Sequence, residues 1–292
     1  MKVSAFVSFA FAMAFTCNIC MAQTAAPASS SSTEPPAATV GIVDNPCDTL
    51  LPPPEAPALA GPKRPLLPQS RAALAAASKA WEEQRLAFDF GGLCHYREAN
   101  AKLPAATAHR VVFMGDSITQ GWIDADPGIF TDDVLDRGVS GQTTPQMLVR
   151  FRQDVIDLHP AVVHILAGTN DIAGNTGPTT LQNIENNIQT MVELAQAHHI
   201  HVILAALTPA ARYPWRPGVE SVESIRALND WIKTYAKQNG LTYVDYFTAL
   251  DDGHRGFIAK LSIDGVHPNA QGYAVMDKLA REAIKQALSA SP

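Results

Sequence analysis

The chain has 292 residues, with 22 basic and 28 acidic side chains, and a formal charge of −6. An acidic chain whose Lys and Arg residues are scattered rather than clustered is not built for nucleic acid or anionic lipid surfaces. No apolar run beyond the first residues is long enough to cross a bilayer, so no stable membrane anchor is expected.

The chain opens with Met1-Lys2, an apolar stretch from Val3 to Phe15, and Cys20-Met21-Ala22 before Gln23. One positive charge, a short apolar core and small residues at the exit read as a secretory leader over 1–22, cut after Ala22. Cys17 and Cys20 lack the flanks of a lipid-attachment site. Residues 23–68 are a linker and arm. Up to residue 40 this part is Ala, Ser, Thr and Pro, which cannot bury enough surface to offset its ordering entropy. From Gly41 it stays Pro-rich but gains Ile42, Val43, Leu50, Leu51 and Leu59, as an extended arm packing on the domain would. Residues 69–104 form a helical extension. Ser70 caps a helix running to about Phe88, with Leu74, Ala77, Trp81 and Leu86 as its buried stripe. Two cysteines remain once the leader is gone. In an oxidising compartment Cys47 and Cys94 are expected to form one disulfide, pinning the arm.

Over 105–292 apolar runs alternate with helical patterns. The runs are Val111–Met114, Val134–Val139, Ala161–Ala167, His201–Leu207 and Thr242–Tyr246. Helices are expected at Thr144–Leu158, Pro178–His198, Ser221–Gln238 and Asn269–Ser289. Continuous apolar strands alternating with helices imply an α/β domain: a five-stranded parallel sheet covered on both faces.

The first run stops at Gly115-Asp116-Ser117, which puts a hydroxyl at a strand tip. Near the other end lies Asp264-Gly265-Val266-His267, an acid three residues before a histidine in one tight turn. Ser117, His267 and Asp264 are the set that nucleophilic acyl transfer needs. Between them, Gly138-Val139-Ser140-Gly141 offers a glycine amide and Gly168-Thr169-Asn170-Asp171 offers an asparagine side chain. Either can donate to an oxyanion.

These four motifs, in this order over about residues 108–288, resemble the SGNH (GDSL) hydrolase family. Its serine, glycine, asparagine and histidine match Ser117, Gly141, Asn170 and His267, and its acid matches Asp264. The resemblance implies a flavodoxin-like three-layer α/β/α sandwich with strand order 2-1-3-4-5. Ligands in such sheets bind beyond the carboxyl ends of the strands. It also implies a serine esterase in which the amides of Ser117 and Gly141 and the side chain of Asn170 form the oxyanion hole. No metal or cofactor is expected. Asp116 and Asp171 read as loop braces.

Other features have plainer readings. His198, His199 and His201 straddle a helix end and a strand start, so they point apart, and no acid or Cys completes a metal site. His164, within a strand, is expected to be a hydrogen-bonded core residue. The stiff loop Thr208–Val219 lies at the ligand edge. Its Tyr213 and Trp215, with Trp122, are candidates to line a substrate groove; alternatively the loop aromatics pack on the N-terminal helix. The substrate expected is a small ester or an acetylated carbohydrate. Rival readings are a lysophospholipase or arylesterase, a sugar acyltransferase using the same triad, and a non-catalytic carbohydrate-binding module.

Overall fold

In the computed structural model, Gly115 ends a strand and Asp116 caps the helix that follows, the junction on which the site is built. The structure describes residues 42–50 and 68–289. The expected leader and most of the expected linker and arm lie outside them. The chain divides into two units, residues 1–44 and 45–292.

A helix, α1, spans Pro68–Phe88. It begins two residues before Ser70, with a proline at the position where a missing N–H costs nothing. A short helix, α2, follows at Arg97–Ala101. The strands are β1 (Val111–Gly115), β2 (Val134–Gly138), β3 (Val162–Leu166), β4 (His201–Ala205) and β5 (Thr242–Val244). They pair in parallel in the order β2-β1-β3-β4-β5. The other helices are α3 (Ser117–Ala125), α4 (Thr144–Asp154), α5 (Thr169–Ile172), α6 (Leu181–Ala197), α7 (Val222–Gln238), α8 (Tyr246–Leu250) and α9 (Ala270–Ser289).

Alternate strand residues serve opposite faces, because successive side chains point opposite ways. Val112, Met114, Val163 and Ile165 pack with Met147, Phe151, Ile188 and Leu228 from α4, α6 and α7. Val111, Phe113, Val162 and Ile203 pack with Ile118, Trp122, Met276 and Ala280 from α3 and α9. Both faces are covered, which is why β1 reads as an apolar run and β3 as one broken only by His164. His164 is fully buried on the second face, with Nε2 3.0 Å from the Tyr246 hydroxyl and its ring stacked on Phe113. Burial pushes its pKa down to about 3, so it stays neutral.

The sheet's carboxyl edge is tightly drawn. A Cβ on Gly138 would collide with the backbone of Gln120, so only glycine lets α3 lie across the end of β2. Cys47 and Cys94 are joined, with Cα atoms 5.5 Å apart. The segment after α1 is stitched to the start and outer turns of α4 by three glutamines. Gln142, Gln146 and Gln153 donate to the carbonyls of Gly91, Phe90 and Leu93 at 2.8, 2.9 and 2.7 Å.

Candidate active site

Ser117 is the first residue of α3. The Asp116 carboxylate caps that helix by accepting the Ile118 amide at 2.9 Å. A first-turn amide has no acceptor within its own helix, and the helix end is positive, so the Ser117 N–H sits where negative charge is favoured. The turn Asp264–His267 is closed by its own acid. Asp264 Oδ1 accepts the amides of Val266 and His267 at 3.0 and 2.8 Å. Its Oδ2 lies 2.8 Å from His267 Nδ1. A carboxylate only accepts, so Nδ1 carries the proton and Nε2 is left as an acceptor. Ser117 Oγ lies 3.0 Å from that Nε2. Burial pushes the Asp264 carboxyl up, but its bonds from the His267 amide and ring and the Val266 amide outweigh this and hold it below the usual carboxylate range.

Gly141 and Asn170 face Ser117 across an open hollow of about 330 Å³, also lined by Ser140, Asn175, Trp215 and His267. Gly141 has a φ of +78°, a left-handed conformation natural to glycine, in the loop after β2 that shares the hollow with Ser117. Asn170 sits in α5 at the tip of β3 and is 2% exposed. Its Nδ2 has two acceptors, Asp116 Oδ2 and the Gln142 carbonyl, each at 3.1 Å. An oxyanion can gain this donor only by taking over or sharing one of them.

The two aspartates beside these residues brace loops. Asp171 accepts the Thr144 amide, at 3.1 and 2.9 Å to its two oxygens, and the Thr144 hydroxyl at 2.6 Å, tying the β3 tip to the start of α4. Burial pushes both Asp116 and Asp171 up to about 6, against the amide of Ile118 in the first case and the hydroxyl and amide of Thr144 in the second.

Two of the three expected groove aromatics are elsewhere. Trp122 is fully buried among Phe113, Phe130, Tyr246 and Tyr273. It lies five residues past Ser117, about 140° further round α3, on the side that packs on the sheet rather than facing the cleft. Tyr213 is 1% exposed and lies under Trp215, with ring centroids 5.3 Å apart. It supports the wall without reaching the cleft surface. Trp215 is 38% exposed and 5.8 Å from the His267 ring, so it alone of the three lines the hollow. Among the described residues no group of three His, Cys, Asp or Glu side chains could hold a metal ion.

Three residues at the site escaped the motif reading: Gln142, Arg150 and Asn175. Arg150 left a trace. With Asp154 it forms a charged pair four apart on the helix face that Met147 and Phe151 bury. Its guanidinium is 0% exposed and bonds Gln142, Asp154 and the Gly115 carbonyl. Asn175 left none beyond its place in a glycine-rich loop.

The profile of the GDSL-like lipase/acylhydrolase family matches residues 113–275. The chain belongs to this family of carboxylic ester hydrolases. A proposed acylhydrolase from Bacteroides fragilis NCTC 9343, known as a crystal structure, is 44% identical, with a TM-score of 0.66 over 68% of this chain and 98% of that one. Esterase TesA of Pseudomonas aeruginosa is 27% identical over 177 residues, covering 56% of this chain and 81% of TesA. The uncharacterized lipoprotein YqeF of Bacillus subtilis is 35% identical over 80 residues, and that match spans 26% of this chain and 33% of YqeF.

Proposed function

We propose that this protein is an extracytoplasmic serine esterase that removes short acyl groups, acetyl foremost, from a carbohydrate alcohol. The observation behind this reading is the continuous chain from Ser117 Oγ through His267 to Asp264, at 3.0 and 2.8 Å. Ser117 Oγ attacks the ester carbonyl while His267 Nε2 takes its proton. The tetrahedral oxyanion meets the amides of Ser117 and Gly141, with Asn170 as the third donor. Collapse expels the alcohol, which receives the proton from His267 and leaves an acyl-Ser117 ester. Water, deprotonated by the same nitrogen, then hydrolyses that ester and restores the serine. Asp264 holds the ring tautomer throughout.

The small hollow supports a short acyl group. The exposed Trp215 face beside His267, where the leaving alcohol departs, suits the apolar face of a sugar ring. The extracytoplasmic placement rests on the Cys47–Cys94 bridge and the leader-like residues 1–22. The test is p-nitrophenyl acetate hydrolysis with fluorophosphonate labelling, followed by acetylated xylan, acetylated pectin and lysophospholipids as competing substrates. Wild-type turnover with label on Ser117 alone, and neither in Ser117→Ala, is the expected result. Labelling elsewhere removes the assignment. No turnover of any ester returns the chain to the binding-module reading, and preference for lysophospholipid overturns the carbohydrate assignment.

A further inference from the structure

Asn175 joins three parts of the site that the motifs treat separately. Its Nδ2 lies 2.7 Å from Asn170 Oδ1 and 3.2 Å from the Gly141 carbonyl. Its Oδ1 lies 3.2 Å from Trp215 Nε1. The partners settle which end of the amide is which. An indole N–H only donates and a carbonyl only accepts, so the oxygen must face Trp215 and the nitrogen Gly141. The same logic then runs inward. Asn170 Oδ1 accepts a hydrogen bond from Asn175 Nδ2, so Asn170 Nδ2 faces Asp116 Oδ2 and the Gln142 carbonyl, both acceptors. Asp116 in turn caps the helix that begins at Ser117. A chain of hydrogen bonds, each donating inward, thus runs from the exposed indole to Asp116, which also accepts from the amide of Ile118 next to Ser117.

Asn175 is itself pinned, its backbone amide donating to the Asn170 carbonyl at 3.0 Å. Its side chain is only half-buried, so replacing it removes contacts at the cleft rather than opening the core. Trp215 has Tyr213 beneath it and His267 beside it, and among the described residues the bond to Asn175 is the one hydrogen bond of its indole.

We infer that Asn175 is a positioning residue: it orients the Asn170 amide and the Gly141 loop for the oxyanion, and it anchors Trp215 as the wall of the alcohol subsite. The inference rests on the reading of Ser117 as nucleophile. The two ends of the amide therefore make separable contributions. Its donor end acts on the oxyanion side, which matters in the transition state, and its acceptor end on Trp215, which matters to binding.

The experiment compares Asn175→Asp and Asn175→Ala with wild type on p-nitrophenyl acetate and on an acetylated xylo-oligosaccharide, with thermal melts to show that each is folded. Asp keeps an acceptor for Trp215 but cannot donate to Gly141 or Asn170. It should lower kcat about tenfold or more, toward the range of a lost oxyanion donor, with KM within about threefold. Ala loses both ends, and should lower kcat similarly while raising KM for the oligosaccharide. Trp215→Phe keeps a ring but no N–H; it should raise the oligosaccharide KM while lowering kcat less than Asn175→Asp does. If folded Asn175→Asp keeps kcat within about twofold, or changes only KM, the inference is overturned while the esterase reading stands. If wild type itself turns over no ester, both fall together.

Discussion

Arg150 Nη2 donates to the Gly115 carbonyl at 2.9 Å, so a fully buried guanidinium holds the backbone two residues before Ser117. The same side chain reaches Gln142 Oε1 at 2.5 Å and Asp154 Oδ2 at 3.1 Å. Gln142 follows Gly141 and lends its carbonyl to Asn170. One cation thus ties the strand that leads to Ser117 to the Gly141 loop and, through the Gln142 amide on the Gly91 carbonyl, to the segment after α1.

Arg150→Met should therefore destabilise the fold by about 3–5 kcal/mol, because it strands Asp154 as a buried charge. Asp154 retains Asn100 Nδ2 at 2.7 Å, which does not neutralise it. Removing that charge as well, in Arg150→Met with Asp154→Leu, should recover much of the loss. Urea denaturation of the four proteins of this cycle measures the coupling. A single variant as stable as wild type would show that the pair contributes nothing net.

Trp122 and Trp215 make a matched contrast. Trp122→Ala empties a fully buried site bordered by four aromatic rings, and should cost about 3–5 kcal/mol of stability. Trp215→Ala removes a partly exposed ring at the cleft and should leave the melting temperature near wild type. Its effect should appear instead as a higher KM for an acetylated oligosaccharide. Melts and steady-state kinetics on the two variants decide it; a stable Trp122→Ala or a strongly destabilised Trp215→Ala would reverse the assignment of core and cleft.

The strand runs were legible because a sheet covered on both faces needs mostly apolar residues, and Val111–Met114 and Val162–Leu166 supply them, with His164 as the one polar side chain. Ser117, Asp264 and His267, which the structure brings within hydrogen-bond reach of one another, could be picked out together because serine-based acyl transfer would need these residue types at a strand tip and in one turn. Trp122 was misplaced because closeness in sequence to Ser117 does not say which side of α3 a residue occupies. Position 122 is five residues past the helix start and faces inward. Tyr213 and Trp215 differ by two residues in an irregular loop, where no period separates buried from exposed. Arg150 could have been suspected from a charge pair on an apolar helix face. Asn175 depends on how the loop after α5 folds back, with its amide on the Asn170 carbonyl, and local sequence carries no signal for that.

Asp171 gives a pH-dependent test of the loop brace. Its folded pKa is raised from 3.8 to about 6, chiefly by burial. Between those values the folded state holds a proton that the unfolded chain has released. The stability this contributes is thus full below the unfolded value and is lost as pH rises through the folded one. Asp171→Asn lacks the titration but keeps an acceptor for Thr144. Its melting temperature relative to wild type should therefore climb as the pH goes from about 4 to about 7. A pH-independent difference would mean that the carboxylate is not strained by burial.

Asn170→Ala bears on the oxyanion side most directly. If its amide meets charge that develops mainly in the transition state, kcat should fall by about 10²–10³ with little change in KM. The competing expectation comes from its two present acceptors, Asp116 Oδ2 and the Gln142 carbonyl, each at 3.1 Å. Were Asn170 purely a tie between these loops, Asn170→Ala would loosen the Ser117 turn and the Gly141 loop together. It would then lower the melting temperature and affect KM as well as kcat. Asn170→Asp separates the two further. Its carboxylate faces Asp116 and the oxyanion alike, so it should depress kcat at least as far as Ala does. The measurement is kcat and KM on p-nitrophenyl acetate for both variants, with melts run beside them. A folded Asn170→Ala enzyme with nearly full kcat would leave the hole to the amides of Ser117 and Gly141 alone.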